Sequence, residues 1–416
     1  MPTAYTVCFC GTACARDEGE KTRKWDPKLI GSLLGSEQKL VSDKGIFDRD
    51  TGYIPVRIHQ DISGTLLGTD LSETVRGVGE NDWHHQMDTC DPLLTQPLLA
   101  PKELLDYVAS YSQGNQRQLY SQASGWSMVA LALHGANLAA RSGASRINLL
   151  GHSRGGVAAI MAAWFLHAYG SSEVRRKPVS IFAIDPVPGT GEWYGIQTQL
   201  APNVHNYVGV YAWDHLDEGF AAVIPRPNGR MTLDRAQMAI EDRGLGTHWW
   251  SLADNRQLAD PLVANTLRQP MGYHLYACRG RHGTVAGIAT RDGRYDPNTV
   301  SADVGAVPRL VYKLARAYLT QWETVFRTRC RVREDARELR RRIHTAHTHF
   351  DTMGGGEMRT AVRTGRPAVR RVSSISGRLG WNRYYLEDVV GTPPYDLAYP
   401  CTIEQQHGGW VKWKFL

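Results

Sequence analysis

No stretch of this chain approaches the roughly 18 consecutive apolar residues that a membrane-crossing helix requires. The opening residues, Met1-Pro2-Thr3-Ala4-Tyr5, lack a basic segment followed by a long apolar core, so no cleaved secretory signal is expected. The chain is therefore expected to be made as a soluble product of the cytoplasm, with any export using a route that needs no signal peptide. Paired cysteines are missing too. Cys8, Cys10, Cys14, Cys90, Cys278, Cys330 and Cys401 are scattered with no C-x-x-C spacing, which argues for reduced thiols and against a disulfide framework or a zinc site. What remains is an ordinary globular composition, 416 residues with 42% hydrophobic and 21% charged, enough for a substantial core. The net charge is +7 and much of the excess lies late in the chain, a balance that suits an anionic partner.

The most informative segment is Arg146-Ile147-Asn148-Leu149-Leu150-Gly151-His152-Ser153-Arg154-Gly155-Gly156, followed by the apolar run from Val157 to Trp164. It reads as a short strand, a sharp turn carrying a serine, and a helix. In such a nucleophile elbow the serine takes a strained backbone conformation, and glycines two positions either side let strand and helix approach. The helix start then aims free N–H groups at the place where an oxyanion would form. His152, inside the turn, points by its position toward the sheet and reads as a packing residue.

Strand signals flank the elbow. Tyr5 to Cys10 is a β-rich run feeding a Gly11-Thr12 loop, and Glu73 to Glu80 reads as a short strand closed by a glycine turn. The rest of residues 13–100 reads as long loops with small elements. A helix is expected from Gln122 to Arg141, with Met128, Leu131, Leu133 and Leu138 among alanines. Further strands are expected at Lys177–Ile184, Val204–Trp213 and Tyr273–Cys278. Strands separated by helices or long connections imply a mostly parallel sheet covered on both faces, an α/β fold whose chemistry gathers at the carboxyl ends of the strands.

That placement limits which residues can join Ser153. A serine hydroxyl needs an imidazole to take its proton, and the imidazole needs a carboxylate to fix its tautomer. The chain order in this kind of fold is serine, acid, histidine. Asp185 lies directly beyond a strand that follows the elbow, and His282 lies in a glycine-flanked loop beyond the last strong strand. Asp214 and Asp217 follow the next strand and stay open as alternative acids. Asp185 could instead cap the Pro186-Val187-Pro188-Gly189 turn. His248, in a Trp-rich loop, and His274, within a strand pattern, read as structural histidines.

These residues carry a family resemblance. Gly11-Thr12, Gly77-Val78-Gly79, Gly151-His152-Ser153-Arg154-Gly155-Gly156, Ile184-Asp185-Pro186-Val187-Pro188-Gly189, Leu216-Asp217-Glu218-Gly219-Phe220 with Pro225, and Gly280-Arg281-His282-Gly283-Thr284-Val285-Ala286-Gly287 occur in a telling order. It resembles that of the bacterial type VI secretion lipase effectors and their relatives with an uncharacterised α/β-hydrolase domain. The matching patterns there are F-D-G-T, G-V-G-T, G-F-S-R-G-A, W-D-T-V-G, D-E-x-R-x-x-F-x-P and G-x-H-x-x-V-G-G. Cys10 stands where the family has aspartate, prolines 186 and 188 replace a Thr-Val-Gly turn, and the D-E motif lacks its arginine.

The resemblance spans roughly residues 4–325. It implies an α/β-hydrolase domain over residues 1–325 and a serine esterase acting on phospholipid acyl chains, with Ser153, Asp185 and His282 as the triad. It also implies an oxyanion hole from the Arg154 backbone N–H with a donor in the Gly11-Thr12 loop. No metal or organic cofactor is required. The implied setting is a toxic effector delivered into a target cell by a contact-dependent system, accompanied by an immunity protein and a secretion carrier. Two other readings stay open: a carboxylesterase for small soluble molecules, and a binding protein that keeps the hydrolase fold without catalysis.

Residues 326–416 differ in character and are expected to form a basic helical extension and C-terminal segment packed on or beside the catalytic domain. Arg327 to Phe350, with Arg331, Arg333, Arg337, Arg340, Arg341 and Arg342, reads as a long exposed helix, and a second arginine-rich stretch runs from Arg359 to Arg371. Either this is a solvated face, or it holds the protein against anionic lipid headgroups, where each cation contributes ~1 kcal/mol. No nucleic-acid-reading motif accompanies the charge, so nucleic acid is not an expected partner. The end, Gly409 to Leu416, reads equally as an interfacial anchor or as a final edge strand.

Overall fold

The computed structural model describes residues 3–14, 23–24, 39–40, 47–48, 50–79, 94, 96–109, 125, 127–188, 195–197, 200–212, 222–223, 225, 272–287, 302–346, 350, 371–373, 383–385, 402–404 and 412–415. Along the chain these form β1 (Ala4–Phe9), β2 (Arg23–Lys24), β3 (Lys39–Leu40), α1 (Ile54–Ser63), β4 (Ser72–Val75), α2 (Lys102–Ala109), α3 (Met128–Arg141) and β5 (Arg146–His152). There follow α4 (Arg154–Tyr169), α5 (Ser172–Arg176), β6 (Val179–Ile184), β7 (Val204–Ala212), β8 (Ala222–Val223), β9 (Tyr273–Cys278), α6 (Ala302–Gln321) and α7 (Ala336–Thr345). The last strands are β10 (Arg371–Ser373), β11 (Arg383–Tyr385), β12 (Thr402–Glu404) and β13 (Lys412–Phe415).

The fold is of the α/β class. Eight strands make the main sheet in the order β12-β13-β9-β7-β6-β5-β1-β4. The six from β9 to β4 are parallel throughout, β13 joins parallel to β9, and β12 is antiparallel at the edge. Because both faces are covered, the strands are apolar on both sides rather than alternating with polar residues. In β7, Tyr207 and Tyr211 enter one hydrophobic cluster while Val208, Val210 and Ala212 enter the other.

The position of β1 explains why a site forms where it does. The chain leaves β1 through α1 to reach β4 on one side, then returns through α3 to β5 on the other. Crossovers of one hand running in opposite directions put their helices on opposite faces. Accordingly α1, α6 and α7 pack on one face with Cys8, Leu150 and Phe182, and α2, α3 and α4 pack on the other with Val7, Leu149 and Ile181. That divergence marks the switch point of the sheet, at the carboxyl ends of β1 and β5, and ligands of such sheets bind at that place.

Two expectations are corrected. Within residues 13–100, read as long loops, the ten residues of α1 are all buried. Ile54, Ile58 and Ile62 form an apolar stripe at i, i+4 and i+8, and the opposing stripe of Arg57, Gln60 and Asp61 is buried as well. Helix α6 was likewise not anticipated. The long exposed helix expected over Arg327 to Phe350 is in the described residues the ten-residue α7, which buries Leu339 and Ile343 and is capped by Asp335. Arg340 and Arg342 are half-buried beside that core face, whereas Arg337 and Arg341 are exposed. Strands β12 and β13, from the expected extension, belong to the same sheet as β1 to β9, so the C-terminal residues extend the sheet at one edge.

Asp61 of α1 is tied down by α6 and the segment after it. Fully buried Asp61 pairs with Arg316 at 2.6 Å, accepts from Thr328 Oγ1 at 2.6 Å, and accepts from the Tyr312 hydroxyl. The Asp61 carbonyl accepts from the N–H groups of Arg327 and Thr328 at 2.8 and 3.1 Å. Arg316 also lies 4.0 Å from the centre of the Phe326 ring. Removing one partner of a buried ion pair strands the other charge, which costs about 3–5 kcal/mol. Arg316→Leu is expected to lose stability in that range in urea unfolding, and the Asp61→Leu/Arg316→Leu double variant to lose less.

Candidate active site

Ser153 follows the last residue of β5 and has φ 57° and ψ −128°, a conformation a side chain adopts only when its surroundings enforce it. The enforcement is visible on both sides. Its N–H donates to Ile184 O at 3.0 Å, and its carbonyl accepts from Gly156, Val157 and Val187 N–H at 3.0, 3.3 and 3.2 Å. A Cβ on Gly151 would stand 2.2 Å from Gly155 O, and one on Gly155 would stand 2.4 Å from Phe9 O. Larger residues there would push strand, helix and β1 apart. The elbow is thus bolted to the ends of β1 and β6, and its serine begins α4.

Asp185 is the residue after β6 and is held at φ 44°. Its N–H donates to Val210 O at 2.7 Å. The carboxylate has no solvent exposure, accepting from Ala212 N–H at 3.1 Å through Oδ1 and meeting His282 Nδ1 at 2.5 Å through Oδ2. A carboxylate on Nδ1 orients the imidazole and favours the tautomer whose Nε2 can take a proton. His282 sits in the loop after β9, which leads through a short 3-10 turn, Thr284–Ala286, to a Gly287 carbonyl that accepts from Asp48 N–H at 2.8 Å.

The structure therefore joins Asp185 directly to His282 and sets Ser153 at the same end of the sheet. Asp214, Asp217 and His248 lie outside the described residues. His274 is in β9 with its ring 5.9 Å from that of Tyr318. The turn-capping role considered for Asp185 gives way to contacts with β7 and His282. His152 is more than packing: its Nδ1 is 2.9 Å from the Tyr53 hydroxyl, its Nε2 is 3.2 Å from His282 O, and its ring lies 4.6 Å from the His282 ring.

The Gly11-Thr12 loop arrives beside the serine. A Cβ on Gly11 would stand 3.1 Å from Ser153 Cβ and 2.9 Å from His152 Nδ1, so only glycine fits. Its N–H, expected as an oxyanion donor, instead donates to the Tyr53 hydroxyl at 2.7 Å. That corrects its role to one of close approach. The Thr12 N–H donates to no described residue. The Gly77-Val78 turn braces the loop from behind: Ala13 N–H donates to Val78 O at 3.1 Å and Gly77 N–H to Cys14 O at 2.9 Å.

Arg154 adds a staple. Its Nε donates to Pro188 O at 3.0 Å and its Nη1 to Thr12 Oγ1 at 2.8 Å, linking the loop after Asp185 to the loop after β1. Burial pushes its guanidinium pKa down to about 10. Tyr53 was not singled out in the sequence, and no pattern there could have found it. It precedes α1, and only folding brings its hydroxyl to the elbow.

Among the described residues no group of three or more His, Cys, Asp or Glu side chains could hold a metal, and no helix is long and apolar enough to cross a membrane. No family model and no curated protein matches the chain. A crystal structure of an uncharacterized protein from Pseudomonas aeruginosa is similar at 11% identity and a TM-score of 0.36, covering 86% of this chain and 51% of that one. The chain thus spans about half the length of that protein.

Lysine cannot span both Arg154 acceptors, because its ammonium is a point charge where the guanidinium is a fork. Arg154→Lys leaves one buried acceptor unmet and is expected to cost about 1–3 kcal/mol, measured by urea unfolding.

Proposed function

We propose that this chain is a serine hydrolase of the α/β-hydrolase fold that cleaves carboxylic esters of phospholipids through an acyl-enzyme. The observation that carries the reading is the 2.5 Å contact between buried Asp185 and His282 Nδ1, at the sheet end where Ser153 stands in a strained elbow. Strain of this kind costs free energy and persists where a function needs the geometry.

In this reading His282 Nε2 accepts the Ser153 proton as the hydroxyl oxygen attacks the ester carbonyl, and Asp185 stabilises the imidazolium that forms. The oxyanion is held by the backbone N–H groups of Arg154 and Thr12, each such donor being worth ~3 kcal/mol. The imidazolium returns its proton to the leaving alcohol or lysolipid, and water then resolves the acyl-enzyme by the same route. The scheme needs no metal or organic cofactor.

The substrate class follows from the resemblance to the bacterial type VI secretion lipase effectors. Under it the chain is a toxic effector delivered into a target cell, with an immunity protein and a secretion carrier as partners. A membrane surface fits the exposed Arg327, Arg329, Arg331, Arg333, Arg337 and Arg341, which anionic headgroups would attract.

Mixed phospholipid vesicles incubated with the protein are expected to release free fatty acid and lysophospholipid. Ser153→Ala should reduce this to background, and Asp185→Asn should lower kcat by roughly 10³–10⁴. Undiminished turnover by Ser153→Ala would overturn the hydrolase reading. Turnover of short soluble esters without fatty-acid release would keep the hydrolase and overturn the lipid substrate.

A further inference from the structure

The elbow histidine is hydrogen-bonded through both ring nitrogens, and the proposed mechanism uses neither. Gly11 N–H donates to the Tyr53 oxygen at 2.7 Å, and the Tyr53 hydroxyl meets His152 Nδ1 at 2.9 Å. His152 Nε2 then carries its own hydrogen and donates to the only acceptor it faces in that contact, His282 O at 3.2 Å. The chain Gly11–Tyr53–His152–His282 thus runs from the β1 loop to the loop after β9.

We propose that His152 is a positioning residue for His282, and that through Tyr53 it sets the imidazole and the Gly11-Thr12 loop in register with each other. The inference rests on the hydrolase reading of Ser153, Asp185 and His282. Asp185 fixes where Nδ1 of the His282 ring is held. His152 acts on the rest of that residue. It holds the residue's own carbonyl, and its ring lies 4.6 Å from the His282 ring at 35° between planes, limiting the swing. At the other end it contacts Tyr53, whose hydroxyl holds Gly11, the residue preceding the Thr12 donor.

The chain therefore couples the group that accepts the serine proton to the group that stabilises the oxyanion. An error of about 1 Å in such a relation is enough to slow a reaction about a hundredfold. The coupling acts on the transition state, so its loss should appear in kcat and leave KM nearly unchanged. A merely structural histidine would lower stability without that split.

The test uses the full chain and a fluorophosphonate probe. The Ser153 oxygen displaces fluoride at phosphorus and passes its proton to His282, so the labelling rate reads serine activation directly. Steady-state kcat and KM on a p-nitrophenyl ester accompany it. His152→Leu and Tyr53→Phe are each expected to slow labelling and kcat at least about tenfold with KM within about twofold, and the double variant to be no slower than the slower single. His152→Gln, which keeps an N–H donor near the Nε2 position, should recover most of the rate. Wild-type labelling by either single variant, or effects that multiply in the double, overturns the proposal. If His152→Leu does not fold, Tyr53→Phe, which keeps the ring, decides by the same criterion. A wild-type protein that does not label at all instead overturns the hydrolase reading beneath it, a result distinct from equal labelling of all variants.

Discussion

A carboxylate stripped of water must have its charge met by donors, and Asp185 meets the Ala212 N–H on β7 and the ring of His282. Everything at this end of the sheet is arranged around that need. The β6–β7 pairing in parallel register delivers Ala212 to the carboxylate, and the β7–β9 pairing delivers the loop that carries His282. Ser153 is fixed to the same point from the other side, since its N–H is bound to the carbonyl of Ile184, immediately before Asp185. Three residues far apart in sequence are thereby referred to one strand end.

The layers behind the site serve the same purpose. Helix α1 is buried on all sides, between the sheet and α6, and its polar residues would be costly there without partners. His59 Nδ1 is 2.8 Å from Ser72 Oγ, and Asp61 is satisfied by Arg316, Tyr312 and Thr328. Because α1 starts at Tyr53, anchoring the helix also anchors the hydroxyl that reaches Gly11 and His152. The stability of the far end of α1 and the geometry of the elbow are linked through one rigid element.

Much of the central sheet was legible in the sequence because buried parallel strands are short apolar runs with clear ends. Tyr5–Cys10, Lys177–Ile184, Val204–Trp213 and Tyr273–Cys278 match β1, β6, β7 and β9 to within a residue or two. The elbow was legible for a different reason: its glycines are demanded by contacts of 2.2 and 2.4 Å that no side chain could fill. Helix α1 was not read although Ile54, Ile58 and Ile62 fall at i, i+4 and i+8, because its ten residues stand in a region rich in Gly, Asp and Lys with only short apolar runs. The arginine-rich stretch misled in the opposite sense. Its charge density suggested a free helix, whereas Leu339 and Ile343 at i, i+4 fasten α7 to the core.

By itself the sequence determined the strands, the strained serine turn, and the order in which a serine, an acid and a histidine follow one another, because each is a local consequence of residue type and spacing. Only the tertiary structure decided that Asp185 meets His282, that Gly11 gives its N–H to Tyr53, and that His152 bridges two loops. Those are hydrogen bonds between groups as many as 130 positions apart. Their existence depends on which strands become neighbours and on which face each helix lands, and no local pattern encodes that.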